Sequence, residues 1–207
     1  MKLTDTPINA ALAAFRSSSP TPGGGSAAAL AGSLGASLLT MVASMPRHRA
    51  ASEEDVDRLQ AAAGRCTQVS ERLMSLIDED SAAYEQVVAA YKLPKTSEAA
   101  KTERSARIQQ GLTAAIDVPL EVMQRCADAI EMAAVVARFG NANASSDVGV
   151  ALELLTAAWR GARLNIDINL GSIKDPAYAE RVRQRVDMVA LECDNGVTAA
   201  KTALSEH

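Results

Sequence analysis

Apolar positions recur at helical spacing along almost the whole chain. From Val56, the residues Leu59, Ala63, Cys66, Val69, Leu73, Leu76 and Tyr84 follow at intervals of three and four or their sums, the period of one helix face. Ser52 ahead of Glu53, Glu54 and Asp55 is a helix start, a capping hydroxyl with acids in the first turn. This helix is predicted to run to about Tyr91, before Leu93-Pro94. Another starts at Thr96 or Ser97 and passes through Ile108, Leu112, Ala115 and Ile116. Pro119 is expected to kink it or to open a new segment through Met123, Cys126, Ile130 and Ala133. Phe139-Gly140-Asn141-Ala142-Asn143 reads as a turn. Pro176 opens the last helix, with Val182, Val186, Val189 and Cys193 inward. Ile8–Arg16 is a short first helix with Leu12 and Phe15 on one face.

Two segments depart from this amphipathic pattern. No charge occurs between Arg16 and Arg47, and Ser26–Met45 is built from Ala, Gly, Ser and Leu up to Pro46. The uncharged stretch Ala27–Met45 is long enough to cross a bilayer. It is weakly hydrophobic, however, and Ser33, Ser37, Thr40 and Ser44 lie inside it. Gly32, Gly35 and Ala36 suit close helix–helix contact, so it reads as a fully buried helix, with a subunit interface as one place for it. Asp147–Leu170 is apolar on most sides and is also read as buried. No strand pattern, repeat or linker interrupts the chain. The expected fold is all-α, a single domain over residues 1–207 of about five to seven helices, with long buried small-residue helices. Two such helices exceed what one small bundle needs, so a homodimer or higher homo-oligomer is expected.

Composition narrows the partners. A net charge of −4 without a basic stripe argues against nucleic acid. Cys66, Cys126 and Cys193 are far apart, odd in number and set in apolar helical patterns. They read as buried thiols in a reducing compartment, which points to the cytoplasm and to no membrane partner. His48 and the terminal His207, expected to fray, are too few for a histidine-based metal site, and no metal is expected.

A few polar groups resist the pattern. Pro20-Thr21-Pro22-Gly23-Gly24-Gly25-Ser26 ends one helix and starts the next. Ser26 can cap that next helix. The glycines form either a tight turn or a backbone that a ligand approaches closely, with free N–H groups at a positive helix end. Asp80 falls on the inner face of its helix, one turn before Tyr84, with Asp78 and Glu79 the surface members of the acidic run. Asn165 and Asn169 are one turn apart beside Ile166, Ile168 and Leu170. Buried amides must be hydrogen-bonded, so these either tie helices together or face a polar ligand. Asn141, Asn143, Ser146 and Asp147 cluster at a helix start, where Ser145, Ser146 or Asp147 can be the cap. Asp147 and Asn165 share a helix stripe but stand about 27 Å apart, so only a long ligand or a site built from two chains touches both.

These residues, taken in order, resemble the cyclodeaminase/cyclohydrolase family of tetrahydrofolate enzymes. The marks are Pro20–Ser26 with the small-residue helix to Met41-Val42, Asp80 with Ala83-Tyr84, Leu93-Pro94-Lys95, Lys101, Arg104, and Val118-Pro119-Leu120. Gly140-Asn141, Ser146-Asp147 and Asn165–Leu170 complete the set. One segment differs: many members carry a Gly-Lys-Lys-Lys-Tyr-like or Gly-Arg-Arg-like run where this chain has Pro46-Arg47-His48-Arg49-Ala50.

The resemblance implies an all-α oligomeric enzyme of one-carbon metabolism with no cofactor beyond its tetrahydrofolate substrate. The expected reaction is hydrolysis of 5,10-methenyltetrahydrofolate to 10-formyltetrahydrofolate. The alternatives are 5-formiminotetrahydrofolate cyclodeamination and a non-catalytic folate-binding oligomer. It implies Asp147 or Asp80 as the general acid/base, with Asp147 placed first for its Asn/Ser-rich turn. Substrate contacts are assigned to Gly23, Gly24, Gly25, Ser26, Tyr84, Asn141, Asn143, Asn165 and Asn169. Arg47, Arg49, Lys95 or Arg104 is assigned to the glutamate carboxylates.

Overall fold

The computed structural model describes residues 2–206. The chain folds into six α-helices: α1 Ile8–Phe15, α2 Gly24–Ser44, α3 Glu53–Tyr91, α4 Glu98–Phe139, α5 Ser145–Leu170 and α6 Pro176–Ser205. Short 3-10 turns precede α1 and α5. Among the described residues no β-strand forms, and one isolated backbone bridge pairs His48 with Asn141. His207 lies outside the described residues.

The starts of the long helices follow the capping logic of the sequence. The Ser52 hydroxyl accepts the Asp55 N–H at 3.1 Å, and Ser97 does the same for Ala100 at 3.1 Å. Asp175 accepts from Ala177 and Tyr178 ahead of Pro176. Two expected caps are corrected. Gly23 is the N-cap of α2, and Ser26 sits inside the helix, fully buried, facing α3. The N-cap of α5 is Ala144, without a side-chain bond, because the 3-10 turn Ala142–Ala144 runs directly into the helix. The new segment considered at Pro119 does not form, since α4, 42 residues long, runs through it unbroken.

α2 lies against α3 and α5, and α4 packs on α3, α5 and α6. Small residues make the first contact possible. A Cβ on Gly32 would stand 3.2 Å from Leu73 Cδ1 on α3 and 3.3 Å from Ala158 Cβ on α5, and one on Gly35 would stand 2.9 Å from Leu155 Cγ and 3.0 Å from the Ala151 carbonyl. Hydroxyls on the α3-facing side of α2 are used across the interface. Ser33 bonds to the Ser70 hydroxyl and carbonyl at 3.0 Å, and Ser37 bonds to Ser70 at 2.8 Å. Ala, Leu, Val and Cys side chains of α2 to α6 fill the remaining core.

α2 is long and apolar enough to span a membrane by length and composition. It is half-buried rather than fully buried, because Leu30, Leu34 and Met41 form an exposed stripe on its outer side. Likewise α5 exposes Val150, Leu164 and Ile168. The three cysteines are free and buried, and burial pushes the Cys66 and Cys193 thiols up to about 12 and raises that of Cys126 as well. They are inert packing groups under ordinary conditions.

Candidate active site

A hollow of about 290 Å³ opens where the first turn of α2 meets the last third of α3, α4 beside Ala115, and the last turns of α5. Gly23, Gly24, Gly25, Asp80, Tyr84, Asn165 and Asn169 line it, with Pro20, Thr21, Val87, Ala115 and Ile168. Three larger hollows, of about 440, 500 and 330 Å³, lie at the tips of α3 and α4, beside the N-terminus, and between the end of α2 and the start of α3. None of them sets a carboxylate beside two asparagines and a glycine turn, so convergence of polar groups, not volume, selects the smaller one.

Three consecutive acids on α3 have three different fates. Asp78 accepts the Leu3 N–H and the Thr4 hydroxyl, both at 2.7 Å, and ties down the N-terminus. Glu79 pairs with Arg72, which also binds Glu121 on α4. Asp80 alone turns to the cavity, where Ser26 Oγ lies 2.8 Å from its Oδ2. The Ser26 hydroxyl also lies 3.0 Å from the Ile77 carbonyl. Burial raises the pKa of the Asp80 carboxyl from its ordinary value, and the hydroxyl and N–H of Ser26 offset part of that rise.

This arrangement accommodates both protonation states. The serine has one proton. When Asp80 is ionised, that proton serves the carboxylate. When Asp80 is protonated, its O–H donates to Ser26 and the serine proton serves Ile77. A half-buried carboxyl that exchanges a proton without losing a partner has the properties of a general acid/base.

The glycines are not equivalent. A Cβ on Gly25 would fall 2.0 Å from Asp80 Oδ1, whereas one on Gly24 would make ordinary contact with Asn165 at 3.6 Å, and one on Gly23 with the Pro20 carbonyl at 3.5 Å. Only Gly25 is required for space, and what it makes room for is the Asp80 carboxylate.

Both asparagines on α5 spend their N–H₂ groups on backbone. Asn165 Nδ2 donates to the Gly161 carbonyl at 2.9 Å. Asn169 Nδ2 donates to the Asn165 carbonyl at 2.9 Å and to Ala115 on α4 at 3.0 Å. Among the described residues no protein donor reaches either Oδ1, so the cavity wall carries two acceptor oxygens beside Asp80. Tyr84, 43% exposed, stands at the rim.

The remaining residues singled out in the sequence lie elsewhere. Arg104 donates to the Tyr91 carbonyl at 3.0 Å, and its guanidinium lies 5.3 Å from the Tyr91 ring. Tyr91 is about 10 Å along α3 from Tyr84. Lys95 is exposed in the α3–α4 loop. Asn141, Asn143 and Asp147 gather at the opposite end of α5. There Asn141 Nδ2 donates to the Pro46 carbonyl at 2.7 Å and its Oδ1 accepts from the Asn143 N–H at 2.9 Å. Arg49 donates to the carbonyls of Phe139 and Ala137, through its backbone N–H and its guanidinium respectively. Arg47 has φ of +61°, an uncommon backbone for a residue with a Cβ.

Sequence reasoning missed the Ser26–Asp80–Ile77 arrangement, because nothing local pairs positions 26 and 80. It also missed Ala115 as a site residue. A signal for that existed: Pro119 lies four residues later and has no N–H to give the Ala115 carbonyl.

The fold is thus an all-helical bundle in which one half-buried carboxyl and two amide side chains line a single hollow. The model of the formiminotransferase-cyclodeaminase family matches residues 7–188, and the chain belongs to that family. It is 38% identical over 173 residues to a methenyltetrahydrofolate cyclohydrolase of Methylorubrum extorquens, covering 84% of this chain and 83% of that one. A formimidoyltransferase-cyclodeaminase of Gallus gallus is 32% identical over 94% of this chain, which spans 36% of that longer protein. A formiminotetrahydrofolate cyclodeaminase of Thermotoga maritima has the same fold, with a TM-score of 0.88 at 24% identity over 99% of this chain and 98% of that one.

Proposed function

We propose that this chain hydrolyses 5,10-methenyltetrahydrofolate to 10-formyltetrahydrofolate, with Asp80 as general base and then general acid. The observation that carries the reading is the Asp80 carboxyl, half-buried, raised and hydrogen-bonded to Ser26 on the wall of the cavity. The similarity to the cyclohydrolase, which extends over most of both chains, favours this reaction among those the family's names describe.

The steps balance on one carboxyl. Water adds through oxygen to the methenyl carbon, and its proton passes to ionised Asp80. The C–N5 bond of the tetrahedral adduct then breaks while Asp80 returns the proton to N5. The remaining hydroxyl proton leaves for solvent, and the formyl group stays on N10. The bridge is cationic, so an adjacent carboxylate also stabilises it before attack. The sequence is redox-neutral, and folate is the only organic partner in it.

Asn165 and Asn169 offer oxygen acceptors to N–H groups of the pterin. Arg104 and Lys95, at the α3–α4 tip beyond the Tyr84 rim, are the cations for the glutamate tail. Asp147 was the first candidate from sequence. Asp80 takes its place in this proposal because Asp147 lies about 27 Å along α5 from Asn165. We assign the exposed stripe of α2 to self-association in a homo-oligomer, not to a bilayer or nucleic acid, and the buried thiols to a cytoplasmic setting.

The test follows the absorbance of 5,10-methenyltetrahydrofolate with purified protein against a buffer blank. Decay faster than the blank supports the proposal. No acceleration overturns it, and appearance of the same chromophore from 5-formiminotetrahydrofolate would then identify a cyclodeaminase. Folate binding without either reaction would identify a non-catalytic member.

A further inference from the structure

Pro119 sits in the interior of α4, buried, where a proline ordinarily breaks or kinks a helix. It has no N–H, so the carbonyl four residues back, that of Ala115, receives no helical bond from it. That carbonyl faces the cavity end of α5, and Asn169 Nδ2 donates to it at 3.0 Å. The second Nδ2 proton goes to the Asn165 carbonyl at 2.9 Å. Both partners are acceptors, so the orientation of the amide is determined. A flipped Asn169 would press Oδ1 against two carbonyl oxygens. With Nδ2 committed, Oδ1 is the atom left to face the cavity that Asn169 and Ala115 both line.

We propose that Pro119 is a positioning residue for the substrate: by freeing the Ala115 carbonyl it anchors the Asn169 amide, and so presents Oδ1 as an acceptor for an N–H group of the bound pterin. This rests on the folate reading given above. A proline in mid-helix costs stability relative to alanine, and the orphaned carbonyl it creates is satisfied by a side chain of the site itself. Pro119 touches no reacting atom, and its effect passes entirely through Asn169.

The test compares Pro119→Ala with Pro119→Val, steady-state kinetics on 5,10-methenyltetrahydrofolate being the readout. Both restore the N–H, but valine nearly keeps the side-chain volume. The expected result is an increase in KM of about five- to tenfold in both variants, the scale of one misaligned hydrogen bond. kcat changes less, and thermal stability of the alanine variant is equal to or above that of the parent. Asn169→Ala should raise KM similarly, and adding Pro119→Ala to it should change KM no further.

Parental KM in a folded Pro119→Ala protein overturns the proposal. So does rescue of KM by valine, which would show a packing role. So do effects that multiply in the double variant. If one proline variant fails to fold, the other, tested alone and on the Asn169→Ala background, still decides the question. Absence of turnover in the parent protein is a separate outcome that overturns the folate reading first and this inference with it.

Discussion

Gly25, Ser26, Asp80, Asn165 and Asn169 meet at one end of the bundle, while Asn141, Asn143, Asp147 and the Pro46–Arg49 segment gather at the other. The two groups use the same residue types and resolve them differently. At the far end, both functions of the Asn141 amide are spent on the backbone of Pro46 and Asn143. Arg49 is held to the end of α4 by its backbone N–H and one terminal guanidinium nitrogen, and its buried Nε faces no cavity acceptor. These bonds hold residues 46–50 against the α4–α5 turn. At the cavity end the amides spend only their donors, and Asp80 is held by a hydroxyl that can reverse its role. What separates a structural polar cluster from a chemical one is not its composition. It is whether bonding capacity is left over, and whether it faces enclosed space.

The comparison breaks most directly at Asp80. Asp80→Asn should lower kcat by about a thousandfold, within the range for loss of a general acid/base. It should not lower stability. Because the folded-state pKa of Asp80 is raised by burial, its contribution to stability is complete below the unfolded-state value and is lost as pH rises through the raised value. Denaturant titrations across that interval should show this fall in the parent protein and not in Asp80→Asn.

Gly25→Ala comes next. Its Cβ would displace the carboxylate oxygen, and kcat should fall by about ten- to a hundredfold, as expected for a reacting group moved by about an ångström. Gly24→Ala, which makes an ordinary contact, should stay within about threefold, below the scale of one lost hydrogen bond. Equal losses in the two variants would show that the turn acts through backbone flexibility.

Ser26→Ala sharpens the picture of the proton path. The serine lowers the Asp80 pKa against the larger effect of burial. Removing it moves that pKa further up, so the rising limb of the pH–rate profile should shift to higher pH. A limb that stays in place would exclude Ser26 from the path.

The smallest effect is expected at the far end. Asp147→Asn removes an acidic group from the first turn of α5 and should cost about 0.3–1 kcal/mol of stability, measured by denaturant unfolding. Turnover should stay near the parental value. A loss matching that of Asp80→Asn would mean that the two ends act on one substrate, and a single chain does not bring them together.

Much of the fold was legible because helices are written in local terms. Ser52 and Ser97 cap where a hydroxyl precedes acids and an apolar periodicity, and those bonds form within four residues. The course of α3 and the burial of its cysteine follow from spacing alone. Ser26 misled, because a serine at a helix start looks like a cap whether it bonds to its own turn or to another helix. Pro119 misled for a related reason: its local cost was plain, while the donor that satisfies the carbonyl it frees, Asn169 Nδ2–H, comes from α5, 50 residues away in sequence.

By itself the sequence determined the helical class, the positions of the long helices, the inward cysteines and the small-residue contact face of α2. Each of these depends on period, capping or side-chain size, which are properties of neighbouring residues. The helix period had already turned Asp80 inward, but only the tertiary structure decided which groups meet it there, which of three glycines must lack a Cβ, and which oxygens of Asn165 and Asn169 remain free. Those outcomes depend on how α2, α3, α4 and α5 approach one another. A hydrogen-bonding group becomes chemistry or scaffold according to the partner that the approach supplies.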